Sequence, residues 1–386
     1  MPGTAGTGFW RATLAGLCGS LVGIGLARFA YTPLIPAVIA AGWFSPAQAA
    51  WLGAANLVGY LVGALEARPA AQRFSAQTAL RGAMAVASLS FFACAAPLSF
   101  GWFFVWRFAA GAAGGIVMVL AAPSVLALVP AARRGLAGGV IFTGVGLGIA
   151  ASGLLVPPLL RWGLAPTWLG LGTLAAVLTV ASWTSWPASP PLVAGPRPRL
   201  GGAVLVVIIV YGLNALGVVP HMIFLVDFVA RGLGRGMAAG AACWIAFGAG
   251  AMLGPSVAGA LADRIGFRAA LRLALLAEAV GVAAPLLSTA TVTLLASAAV
   301  VGAFTPGVVP LALGRIHTLL PAGSDAARAA WSGATIAWAV GQAVGAQVLS
   351  VLFAHAGSYS PLFAAGTAAL LGGLVLERAS DRRRRV

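Results

Sequence analysis

The chain has 386 residues, 61% of them hydrophobic and 8% charged, a balance that excludes a soluble globular domain of this length. Its formal charge of +16 comes from 23 basic residues, all arginine, against 7 acids; without a basic face on a soluble fold, that excess does not describe a nucleic-acid binder. The absence of lysine also excludes an ATP-driven pump built on a GxxxxGK[ST] phosphate loop.

Apolar stretches follow one another from end to end. A bilayer core needs roughly 20 apolar residues per helix, with every backbone polar group satisfied inside the segment. Twelve transmembrane helices are predicted: Arg11–Ala37, Ala47–Leu65, Thr78–Pro97, Trp102–Val125, Gly135–Leu159, Pro166–Trp186, Gly202–Leu225, Met237–Leu261, Ala269–Leu287, Thr291–Leu313, Ala329–Phe353 and Pro361–Leu376. The first runs well past the apolar core of a signal peptide and is expected to be a span, not a cleaved leader. The intervening arginines fall almost entirely in alternate gaps. Of the 23, 18 lie on one side of this arrangement, Arg161, Arg231 and Arg235 lie on the other, and Arg28 and Arg107 lie inside apolar stretches. Loops that stay inside collect positive charge, so both termini are expected in the cytoplasm, with Arg382 to Arg385 a solvated basic tail. Cys18, Cys94 and Cys243 each stand alone in an apolar stretch, so neither a disulfide framework nor a metal site is expected.

A Pro-rich polar connection, 187–201, divides an N-terminal six-helix bundle (1–186) from a C-terminal one with the basic tail (202–386). The halves read as a repeat. Gly63-Ala-Leu-Glu66-Ala-Arg68 recurs as Gly259-Ala-Leu-Ala-Asp263-Arg264 at a shift of 196, and Gly138 and Gly146 pair with Gly333 and Gly341 at a shift of 195.

Several segments resemble the major facilitator superfamily. Gly259 to Arg268, GALADRIGFR, is similar to that superfamily's loop motif between the eighth and ninth helices, with Gly63 to Arg68 as a degraded partner after the second. Arg107-Phe-Ala-Ala-Gly111 resembles its fourth-helix motif. Gly23 to Pro36, with Arg28, Tyr31 and Pro33, followed by Ala54 to Tyr60, resembles the start of the bacterial YbfB/YjiJ family. The fifth span lacks the Gly-Pro pair of the antiporter motif and offers Gly144, Gly146, Gly148 and Gly153 instead. The resemblance implies an all-α fold of two six-helix bundles with a solute site between them near the midplane, in the bacterial inner membrane. It carries no substrate class.

Candidate site residues follow from cost. A charge inside the bilayer is expensive unless it faces a cavity or a partner, and no acid lies inside the first six spans to neutralise Arg28 or Arg107. Either guanidinium can clasp an anionic solute through its planar fork, or brace helix carbonyls. Tyr31, one turn after Arg28, is expected on the same face. Tyr211, Asn214 and His221 fall near one face of the seventh span beside Pro220, a bend point, and His221 is a candidate proton carrier. Asn56 and Gln342 are weaker cavity candidates, since buried amides also join helices. Glu66 with Arg68, and Asp263 with Arg264 and Arg268, are expected to latch the cytoplasmic ends of the two halves. Glu278 reads as a protonated packing group on a peripheral helix, Asp227 with Arg231 as a local pair, and His317 and His355 as interfacial.

The expected function is secondary active transport by a monomer: a small solute, of anionic character if Arg28 binds it, coupled to an ion such as a proton, with no cofactor. The competing classes are a polytopic membrane enzyme, which would need paired acids or a metal cluster near the interface, and a non-transporting scaffold or sensor.

Overall fold

The computed structural model describes residues 3–130, 134–188, 200–321 and 324–382. Much of the 187–201 connection, Arg133, Arg197, Arg199 and Arg383 to Arg385 lie outside them. The described residues are helical throughout, with no strand. The chain forms two compact units, 1–194 and 195–386.

In the first unit the opening span is not one helix. It runs as α1 (Gly3–Ser20), a π-helical segment (Leu21–Leu26), a turn over 27–30 and α2 (Tyr31–Ala40). Then come α3 (Pro46–Phe74), α4 (Ala76–Ala93), α5 (Phe100–Leu126), α6 (Arg134–Leu160) and α7 (Leu164–Ser182). The second unit opens with an equally broken span: α8 (Gly202–Gly217), a π-helical segment that begins at Pro220 (Pro220–Phe224), α9 (Leu225–Asp227) and a second π-helical segment (Phe228–Gly232). It continues with α10 (Gly236–Ile265), α11 (Phe267–Leu287), α12 (Thr291–His317), α13 (Asp325–Ala356) and α14 (Ser360–Arg382).

Eleven of these segments are long and apolar enough to cross a membrane. The third predicted span, now α4, is the twelfth helix and is not among them, because its first two turns carry Gln77, Thr78 and Arg81. Those polar groups are satisfied inside the unit. Gln77 Nε2 donates to the Trp186 carbonyl at 2.8 Å, and Arg81 Nε donates to the Trp183 carbonyl at 2.7 Å. The outward faces of the spans carry residues such as Val105, Val180, Leu253 and Val292, apolar side chains that suit lipid.

Small residues set the helix contacts. A Cβ on Gly59, Gly63 or Gly111 would lie 2.0, 1.9 or 1.8 Å from the carbonyl oxygens of Phe108, Ala112 and Asn56, so α3 and α5 touch backbone to backbone. In the second unit Gly250, Gly254 and Gly302 meet the carbonyls of Ala299, Ala303 and Phe247 at 2.1, 1.7 and 2.1 Å in the same way. Every one of these residues stands 191 positions from its counterpart (59 to 250, 108 to 299, 56 to 247). The helix ends obey the same shift: α5 spans 100–126 and α12 spans 291–317. The packing register of the repeat is therefore 191 in these helices, where matched letters alone suggest 195 or 196.

That register corrects the second-span motif. The second span does not close at Glu66–Arg68 but continues to Phe74, so both residues lie within α3, and the counterpart of Asp263-Arg264 is Gln72-Arg73. Apolar content falls after Leu65, yet the helix continues through Pro69 to Phe74.

Candidate functional site

The break in the first span organises the first unit's buried charge. In the turn over 27–30 the Thr32 N–H donates to the Phe29 carbonyl at 3.2 Å and not to that of Arg28 four residues back, so the α-helical ladder is interrupted there. Arg107, reaching from α5, donates from Nη1 to the Ala27 carbonyl at 3.0 Å and from Nη2 to the Arg28 carbonyl at 3.5 Å. Asn56 of α3 donates through Nδ2 to the carbonyls of Ala27 and Arg107, at 3.4 and 3.0 Å. Arg107 and Asn56 are both buried, and both bond backbone carbonyls of the broken span. Hydrogen bonds from a charged donor of this kind each contribute about 1.5–3 kcal/mol.

Arg28 stands in the turn itself and is buried. Aromatic rings face it: its guanidinium carbon lies 4.6 Å from the Tyr60 ring centroid and 5.1 Å from that of Phe29. Tyr31 does not share that face. The turn over 27–30 resets the helical phase and carries the Tyr31 ring to within 4.5 Å of the Arg107 guanidinium, while its hydroxyl donates to the Ala49 carbonyl at 3.1 Å. Tyr60, one turn after Asn56 on α3, is the contact residue that the sequence reading left out; its i+4 spacing from Asn56 was the available signal.

In the second unit the expected stripe separates into three contacts. The Tyr211 ring lies 4.6 Å from that of Trp338 of α13, centroid to centroid and tilted by 39°, with Trp331 at 6.0 Å. Asn214 donates from Nδ2 to Oε2 of Glu278 on α11. His221, in the π-helical segment, places Nε2 2.7 Å from the Ser297 hydroxyl of α12, and that hydroxyl donates to the Gly281 carbonyl at 2.6 Å. Because the hydroxyl's one proton goes to Gly281, Nε2 is the protonated nitrogen of His221. Gln342 of α13 donates to the Met222 sulfur at 3.4 Å. Glu278 is thus buried and bonded to the seventh span, closer to that unit's polar interior than a peripheral packing group would be.

The charged ends divide as well. Arg268 does not stand with Asp263. Its Nε lies 3.4 Å from Glu377 on α14, a fully buried carboxylate that Arg315 also approaches at 3.7 Å, and Arg272 donates to the Glu377 carbonyl at 3.1 Å. Glu377 escaped notice in the sequence because it closes the last span beside Arg378. Asp263 and Arg264 are exposed, as are Glu66 and Arg68, and among the described residues none of these four is in an ion pair. At the opposite end, Arg231 Nη1 pairs with Asp227 at 3.1 Å, as its i+4 spacing suggests, and Tyr359 donates to the same carboxylate at 2.5 Å. Burial first, then the neighbouring Asp227, push the Tyr359 phenol up. His317 and His355 are exposed at helix ends. Among the described residues no group of three His, Cys, Asp or Glu is placed to hold a metal ion.

Residues 20–377 match the model of the family described as "Uncharacterised MFS-type transporter YbfB". Among solved structures, "Crystal structure of D-xylose-proton symporter" is similar in fold with a TM-score of 0.76, covering 96% of this chain and 97% of that one at 16% identity. No curated protein matches the chain in sequence.

Proposed function

The chain belongs to the YbfB family of MFS-type transporters and so is a membrane secondary transporter, not an enzyme; we propose that it moves a small anionic solute across the bacterial inner membrane by alternating access, coupled to an ion. The observation that carries the anionic reading is a charge imbalance. Residues 1–194 contain one acid, Glu66, and it is exposed on α3, whereas two guanidiniums, Arg28 and Arg107, are buried in that unit. Arg107 is committed to backbone carbonyls. Arg28, whose guanidinium faces the Tyr60 and Phe29 rings, is the group whose charge a solute carboxylate or phosphate would balance, with bidentate geometry that Lys cannot reproduce. The break in the first span supports this role, since irregular backbone at membrane depth is tolerated where it lines a cavity or is buried in protein.

The exposed Asp263 and Arg264 we read as a charged contact of the cytoplasmic face, and the arginine alternation supports cytoplasmic termini. A cysteine placed at Gly3, in a chain lacking Cys18, Cys94 and Cys243, is expected to stay unlabelled by a membrane-impermeant maleimide in intact cells. Labelling there overturns the orientation. The anionic reading is tested by thermal stability of purified protein against a panel of organic and phosphorylated anions, with neutral sugars and cations as controls. Anions are expected to stabilise the wild type and to leave Arg28→Gln unmoved; stabilisation by neutral or cationic solutes alone overturns it.

A further inference from the structure

Glu278 lies ten residues along α11 from Arg268, about 15 Å, and its side chain is fully buried. Oε2 accepts from Asn214 Nδ2, but Oε1 has no hydrogen-bond partner. Neither has Oδ1 of Asn214. The two orphaned acceptors thus belong to the two partners of one hydrogen bond, and one proton reconciles them. Placed on Oε1, it would be donated to Oδ1 and close an acid–amide ring of two hydrogen bonds; without it, two sets of lone pairs are buried together, at the cost of unsatisfied polar groups.

The surroundings offer Glu278 no counter-charge. The elements packed on α11 are α10, α12, α14 and α8. No charged residue occurs between Arg235 and Asp263 in α10, between Thr291 and Gly314 in α12, or between Ser360 and Leu376 in α14, and α8 has none at all. Asp263, Arg264, Arg268, Arg272, Arg315, Glu377 and Arg378 sit toward one end of the unit's helices, and Asp227, Arg231, Arg235 and Tyr359 toward the other. Cys243 of α10 is a buried thiol. The titratable side chain that reaches α11 one turn on is His221, through Ser297 and the Gly281 carbonyl; its Nδ1, unprotonated in this tautomer, also has no partner. An acid and a base, both fully buried, therefore connect the broken seventh span to the same stretch of α11.

We infer that Glu278 takes up and releases the coupling proton of this transporter, with Asn214 as the positioning residue that passes the change to the seventh span. The inference rests on the transport reading and names its coupling site. The chemistry is a plain protonation: an O–H bond forms at Oε1 with a proton from solvent, and breaks on release. With the proton bound, α8 is tied to α11 by two hydrogen bonds. After release one bond remains beside two facing acceptors, which favours separation of the two helices next to the π-helical turn at His221.

Infrared difference spectroscopy between acidic and alkaline buffers, on purified protein in lipid without any solute, reads this directly. The wild type is expected to show a protonated-carboxyl C=O band that grows as pH falls, shifts in D2O and is missing from Glu278→Gln. In Asn214→Leu, whose fold is checked by monodisperse elution, the band persists at higher frequency because the carbonyl oxygen loses its donor. Absence of a titrating band, a band unchanged in Glu278→Gln, or a band present at every pH overturns the inference. None of these readings depends on solute movement, so failure of Glu278 to titrate and failure of the protein to transport are separate results.

Discussion

Ser75 and Gly266, 191 residues apart, hold nearly the same backbone: φ 77°, ψ 154° for the serine and φ 80°, ψ 152° for the glycine. Each is the single residue between two helices, α3 and α4 in one unit, α10 and α11 in the other. That conformation is readily available only to glycine, and Ser75 is the one non-glycine residue with positive φ among those described. Its hydroxyl, which accepts from the Thr78 N–H at 3.3 Å and so caps α4, offsets part of the strain.

Ser75→Gly is therefore expected to stabilise the protein by about 1 kcal/mol, since relief of strain at this φ exceeds the few tenths lost with the cap. Gly266→Ala should destabilise by about 1–2 kcal/mol, because no neighbour within 4 Å hinders the new methyl and only the backbone objects. Thermal unfolding in detergent reads both. A lower midpoint for Ser75→Gly, or an unchanged one for Gly266→Ala, would show that the two turns are not equivalent.

Arg107 and Arg28 should part company under mutation. Arg107→Gln removes two charge-assisted bonds to the carbonyls of Ala27 and Arg28 and is expected to destabilise by about 3 kcal/mol. Arg28→Gln removes the buried guanidinium that faces the Tyr60 and Phe29 rings and is expected to abolish solute binding. Stability and binding measured on the same preparations check the division. A stable Arg107→Gln protein would remove the brace.

Glu377 and Asp263 form a second contrast. Glu377→Gln leaves Arg315, almost wholly buried, and the partly buried Arg268 without their carboxylate, and should destabilise by about 2–3 kcal/mol. Asp263→Asn changes an exposed group and should leave the unfolding midpoint in place while slowing solute exchange. Unchanged flux in Asp263→Asn would leave the loop a plain anchor.

The spans were legible because hydropathy and arginine placement are properties of sequence alone, and both act on every residue of a stretch. Arg28 and Arg107 were legible as exceptions to that pattern. What each one touches was not, because the turn over 27–30 and the π-helical segments change the helical phase. The i+3 rule then misdirects Tyr31 toward Arg28; Tyr211 and Asn214 share the unbroken α8, where the rotation over three residues is enough to turn the first to α13 and the second to α11. The register of the Glu66–Arg68 motif was misread for a different reason: three shared letters, Gly-Ala-Leu, outweighed the helix-end geometry that places Ser75 opposite Gly266. Partners distant in sequence, such as Glu377 for Arg268, leave no local spacing to read.

The central claim is movement of an anionic solute through a path that depends on Arg28, and flux into proteoliposomes containing only this protein tests it most directly. With a panel of radiolabelled small organic anions and an imposed proton gradient, the wild type is expected to accumulate at least one of them. Arg28→Gln should reduce that uptake at least tenfold, and Glu66→Gln, which alters the one carboxylate of the same unit, should retain it. Uptake of neutral or cationic solutes alone, or equal anion uptake by the wild type and Arg28→Gln, would contradict the account.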